Sequence, residues 1–127
     1  MKELTPSDFP SATEYEASRD EIRRKISGIK DRRRVLVGDH CSVHFENRET
    51  MRYQVLEMLR AENSFNRPGA LEDELAAYNP LVPRGGELSA TVMFEYDTPE
   101  QRAVHLAELV GIDRHLWLVI AHETPIL

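Results

Sequence analysis

Residues 34–62 read RVLVGDHCSVHFENRETMRYQVLEMLRAE, and two periodicities meet inside them. Arg34–Val37 and Cys41–Glu46 are short β-prone runs, and Gly38-Asp39-His40 between them carries turn chemistry, which predicts a hairpin. On its second strand Cys41, Val43 and Phe45 share one face, while Ser42, His44 and Glu46 share the other. Asn47 then serves as a helix N-cap. Met51, Val55, Met58 and Leu59 follow at helical spacing, as far as about Glu62. A hairpin running straight into an amphipathic helix points to an α+β layer structure.

Upstream, Ser11-Ala12-Thr13-Glu14 has the spacing of a capping box. Tyr15, Ile22, Ile26 and Ile29 form an apolar stripe behind it, which predicts a helix from about Ala12 to about Lys30. Downstream, residues 63–69 break the second helix. A shorter one follows from about Ala70 to Tyr78, with Leu71, Leu75 and Tyr78 on one face. Two prolines and two glycines punctuate residues 79–86. Beyond them Leu88, Ala90, Val92, Phe94 and Tyr96 alternate with polar residues as a strand packed on one side does. Thr98-Pro99 opens a helix carrying Val104, Leu106, Leu109 and Val110, Gly111 ends it, and His115–Ala121 reads as a last strand. The expected order is α-β-β-α-α-β-α-β: one largely antiparallel four-stranded sheet with helices packed on one face. No linker divides the chain, so residues 1–127 are expected to form a single domain.

Composition narrows the classes. A chain of 127 residues with 41% hydrophobic and 30% charged residues has the balance of a globular domain rather than a disordered or fibrous one. No apolar run approaches the roughly 18–20 residues that span a bilayer, and the N-terminus lacks the apolar stretch of a secretory signal. The single cysteine, Cys41, cannot form an internal disulfide, which agrees with a reducing, cytoplasmic setting. The net charge of −6 is unevenly spread: eight of the sixteen basic residues lie between Arg19 and Arg34. That segment suits a solvated helix face, an acidic protein partner, a second copy of the chain, or an anion. Nucleic acid is disfavoured, because no aromatic residues interleave with the arginines.

Three constellations could carry chemistry. His40, Cys41, His44 and Glu46 are metal-ligand types, but Cys41 faces away from His44 and Glu46 and the spacing fits no zinc pattern. That leaves His44 and Glu46 as weak metal candidates against ordinary strand residues. Asn47, Thr50, Gln54 and Glu57 align on one flank of the second helix. They read either as caps and structural hydrogen bonds or as an edge that binds a ligand or partner. Arg84-Gly85-Gly86-Glu87 with Ser89 and Thr91 could let the backbone approach an anion, with Glu87 at its edge, but lacks the P-loop Lys and following helix. No Ser/His/Asp or Cys/His pair has supporting context.

Phe45-Glu46-Asn47-Arg48-Glu49-Thr50, continuing through Gln54 to residues 57–62, resembles the hallmark stretch of the uncharacterised bacterial family called domain of unknown function 3501. So do Tyr78-Asn79-Pro80-Leu81-Val82-Pro83 and the run from Gly85 to Thr91. The arginine-rich end of the first helix, His40 and residues 108–112 also fit. The resemblance implies no activity. It implies a setting, since such proteins are often encoded near rubrerythrin-like proteins and iron–sulfur oxidoreductases. Family members usually continue past Ala121, so a C-terminally truncated form of the domain is expected.

The leading expectation is a non-catalytic accessory or binding protein in a redox or peroxide-stress system, with no cofactor. A rubrerythrin-like or iron–sulfur protein is its expected partner. One alternative is a metal-dependent or acid–base enzyme in which Glu46, Glu57, Glu87 and Glu95 converge with His40 or His44. The other is anion or nucleic-acid binding through Arg23, Arg24, Lys30, Arg32, Arg33 and Arg34.

Overall fold

Ser11 starts the first helix as its spacing predicts. Its hydroxyl accepts from the Glu14 N–H at 3.2 Å, and the Glu14 carboxylate accepts from the Ser11 N–H at 3.3 Å. Two orphan donors are met at once. The helix that follows, α1 (Ala12–Asp31), buries Tyr15 and Ile26 and half-buries Ile22 and Ile29. This structure, a computed structural model, describes residues 2–119.

The hairpin comes next. β1 (Arg34–Val37) pairs antiparallel with β2 (Cys41–Phe45), placing Arg34 opposite His44 and Val37 opposite Cys41. Gly38 makes the turn at φ 69°, a left-handed conformation that side chains disfavour. Asn47 then caps α2 (Arg48–Ala61) and is followed by α3 (Ala70–Tyr78), β3 (Ala90–Phe94) and α4 (Pro99–Glu108). Among the described residues no helix is long and apolar enough to cross a membrane.

The chain forms two compact units, Met1–Met93 and Phe94–Leu127. In the first, the core is helical. Met51, Leu75, Val82 and Leu4 make one buried cluster; Val55, Leu59 and Ala70 make another. Phe9, Leu71 and Tyr78 pack against both. In the second, Thr98 and Gln101 form a capping box for α4, and the Tyr96 and His105 rings stack with centroids 4.6 Å apart.

Two expectations are corrected here. Among the described residues the sheet is three-stranded and antiparallel, in the order β1-β2-β3, not four-stranded. Residues 115–119 form no strand and only Leu118 makes an isolated bridge; Ile120 and Ala121 lie outside the described residues. A β-prone run says that its side chains suit a pleated surface. It does not say that an edge is available to pair with. The helices of the first unit also pack chiefly on one another rather than on one face of the sheet. The strand residues turned toward the groove beside α1 and α2 are His44, Glu46 and Thr91, with Phe45 and Met93 beside them, and the buried apolar clusters lie among the helices instead.

The N-terminal segment is held to α2 by charge. The Asp8 carboxylate accepts from the Thr5 N–H at 2.8 Å and pairs with the Arg48 guanidinium at 2.8 Å, while Arg52 donates to the Asp8 carbonyl. The Thr5 backbone bond, and then Arg48, pull the Asp8 pKa down from its usual 3.8 to about 2. A carboxyl lowered on folding stabilises the folded chain above its ordinary range, and that contribution is lost as pH falls toward about 2. The stability gap between the native chain and Asp8→Asn should therefore close between pH 5 and pH 2. A titration of the Asp8 carboxyl with its midpoint near 4 would contradict this.

Candidate functional site

α1, α2 and the sheet of the first unit enclose a groove of about 1230 Å³. Its walls follow from two periodicities. On α1, Arg23, Ser27 and Lys30 fall at i, i+4 and i+7, one above another on a single face, with Arg23 and Lys30 about 10 Å apart along the axis. On the sheet, Arg34 shares a face with His44 because the two sit directly opposite, and Glu46 follows two residues beyond His44. α2 closes the groove with Thr50, Tyr53 and Gln54, and β3 adds Thr91 and Met93.

The groove is cationic. Arg23, Arg24, Lys30, Arg33 and Arg34 line it against Asp20, Asp31 and Glu46. Arg34 and Asp31 make only a long contact of 3.9 Å between exposed side chains, which contributes little. Lys30 lies 5.4 Å from the centre of the Tyr53 ring. Arg23 and Arg24 hold no side-chain hydrogen bond or ion pair among the described residues. Arg33 differs from the rest: its guanidinium donates to the carbonyls of Phe45 at 2.9 Å and Glu46 at 3.2 Å. It ties the end of α1 to the end of β2, so its role there is structural.

The floor is polar and buried. Glu46 is 8% exposed, and its carboxylate accepts from the hydroxyls of Thr50 and, at 3.1 Å, Thr91. Its N–H donates to the Ser89 carbonyl at 2.7 Å, which fixes the backbone between β2 and the approach to β3. His44 Nε2 lies 2.9 Å from the buried Ser42 hydroxyl.

The flank Asn47, Thr50, Gln54 and Glu57 separates into three roles. Asn47 and Thr50 cap α2 reciprocally: the Asn47 side chain accepts from the Thr50 N–H at 2.8 Å, and the Thr50 hydroxyl accepts from the Asn47 N–H at 2.9 Å. Gln54 is half-buried, lines the groove and has no side-chain hydrogen bond among the described residues. Glu57 is engaged elsewhere. It binds Arg19 at 3.0 Å and accepts from the Tyr53 hydroxyl at 2.8 Å. Burial pushes the Glu57 carboxyl up, but its bonds from Arg19 and Tyr53 outweigh that and hold it low. Burial, reinforced by the Glu57 charge, raises the Tyr15 hydroxyl to about 12.

Glu87 is exposed and accepts from the Arg84 N–H of its own turn at 3.1 Å. Of Glu46, Glu57 and Glu87, the groove gathers only Glu46; Glu95 belongs to the second unit. Among the described residues no group of three or more His, Cys, Asp or Glu side chains could hold a metal ion. Tyr53 lines the groove without having stood out in the sequence, and Tyr78, read there as part of an apolar helix face, lines it too. The signal for Tyr53 was its place beside Gln54 on α2.

A family model described as protein of unknown function (DUF3501) matches residues 3–126. No curated protein matches the chain. A crystal structure of a novel protein of unknown function from Burkholderia pseudomallei K96243 is similar, with a TM-score of 0.89 and 38% sequence identity. That likeness covers 97% of this chain and 69% of the other.

Proposed function

The chain belongs to the DUF3501 family of unknown function, and from that premise we propose that it is a non-catalytic binding protein whose groove takes an organic anion. The observation that carries this reading is the cationic wall: five basic side chains against three carboxylates, with Arg23 and Arg24 uncommitted. A volume of about 1230 Å³ exceeds what a drug-sized ligand commonly fills. Gln54 adds an amide with free donors and a free acceptor. This reading joins the binding role to the anion-binding role of the Arg19–Arg34 segment. The redox and peroxide-stress setting, with its rubrerythrin-like or iron–sulfur partner, rests on the family resemblance, and no residue of the groove adds to it.

Thermal unfolding with citrate or inorganic pyrophosphate at low ionic strength tests the proposal. Ligand at about a hundred times its Kd stabilises by roughly 2.7 kcal/mol, which is a rise of several degrees for a chain of this size. The rise should shrink as salt screens the charges, and vanish in the double variant Arg23→Ala/Lys30→Ala. No rise with either anion, or an undiminished rise in the double variant, would overturn it.

A further inference from the structure

We infer that the ligand is a zwitterion, holding its anionic group on the cationic side of the groove beside Arg34 and a protonated amine on Glu46. The inference rests on the anion-binding reading and narrows it. A carboxylate offers about four acceptor positions, and the hydroxyls of Thr50 and Thr91 fill two of those on Glu46. Among the described residues no Lys, Arg or His nitrogen pairs with this carboxylate, although it is 8% exposed and lines a groove rich in arginine. Arg33, bonded to the Glu46 backbone carbonyl, does not serve its side chain. A carboxylate removed from water without a cation is costly, and a ligand ammonium supplies both the missing charge and the missing donors.

The spacing fits a short molecule. Arg34 sits opposite His44, and Glu46 is two residues farther along the same face, about 7 Å by strand rise. A ligand whose anion and amine are separated by a few bonds spans that distance with a hydrogen bond of about 3 Å at each end. Gln54 faces the same space and can bond the connecting atoms.

Titration calorimetry at low salt with phosphoethanolamine, ethyl phosphate and ethanolamine separates the contributions. Phosphoethanolamine should bind the native chain at least tenfold more tightly than ethyl phosphate, and ethanolamine least of all. Glu46→Gln should bring the two phosphates to equal affinity, by weakening phosphoethanolamine and, with a like charge gone from the groove, leaving ethyl phosphate bound at least as tightly as before. Equal affinity for the two phosphates in the native chain would overturn the zwitterion and leave the anion reading standing. Binding of neither phosphate would overturn both. The comparison in the native chain needs no variant, so it decides the matter even if Glu46→Gln fails to fold.

Discussion

Leu59→Ala is expected to lower the unfolding free energy by about 3 kcal/mol, within the 2–5 kcal/mol that such truncations cost. Leu59 is 1% exposed and packs with Val55 and Ala70, against Phe65, Leu71 and Tyr78. Its removal loses the transfer free energy of the side chain and leaves a cavity. Both neighbouring helical elements resist collapse into that space, because Ala70 already sits at the start of α3 with no side-chain bulk to move. Urea unfolding followed by far-UV circular dichroism should give a lower midpoint at unchanged slope. For contrast, Leu36→Ala on β1, where the side chain is 70% exposed, should stay within about 0.5 kcal/mol. A loss below about 1 kcal/mol at Leu59 would mean that the stability of the first unit does not lie in its helices.

Asn79→Ala should cost about 2 kcal/mol without touching the groove. The Asn79 side chain accepts from the Leu4 N–H at 2.8 Å and donates to the Leu4 carbonyl at 2.9 Å, across 75 positions of sequence. Each such bond is worth about 0.5–1.5 kcal/mol, and removing this partner leaves two backbone groups of a residue that is 2% exposed unsatisfied. Leu4 also belongs to the cluster with Met51, Leu75 and Val82, so the loss reaches the core. Asn79→Asp keeps the acceptor and loses the donor, and should fall about midway. The same urea experiment reads all three chains. An alanine variant within 0.5 kcal/mol of the native chain would show that water replaces both bonds at no cost.

Much of the fold was legible where the chain's own chemistry is local. The Ser11 box and the Asn47 cap stand where their spacing put them, and β1 and α3 match residue for residue. Leu56, fully buried, escaped the apolar stripe of Met51, Val55, Met58 and Leu59. α2 packs against α1 and also against α3, so it buries a wider arc than a single stripe. The fourth strand failed for a different reason: pairing depends on an edge contributed by distant sequence. The site was visible only in pieces. The basic run, the His44–Glu46 face and Gln54 each stand out singly, but what joins them is the groove that α1, α2 and the strands line together, which no local pattern encodes. A strand face carrying Ser42, His44 and Glu46 reads as solvated, yet Ser42 and Glu46 are buried. Arg33 shows the limit most plainly, because nothing in its composition separates a backbone staple from its neighbours Arg32 and Arg34.

The register of the hairpin has a bearing on how the groove is mutated. Phe45 donates its N–H to the Arg33 carbonyl, so the odd-numbered residues of β1 bond to β2, and Arg34 and Leu36 aim their backbone groups outward. Among the described residues β1 is the last strand on that side of the sheet, and Val35, Leu36 and Val37 beside that edge are 49–70% exposed. Such an edge is a template for strand addition, and a charged residue on it acts as a gatekeeper against aggregation. Arg34 is that gatekeeper as well as a groove cation. Replacing it by alanine removes both at once, so lost binding in that variant would be entangled with edge-to-edge self-association. Arg23 and Lys30 stand on α1, away from the edge, and their removal leaves the solubility of the chain to the charge that guards β1.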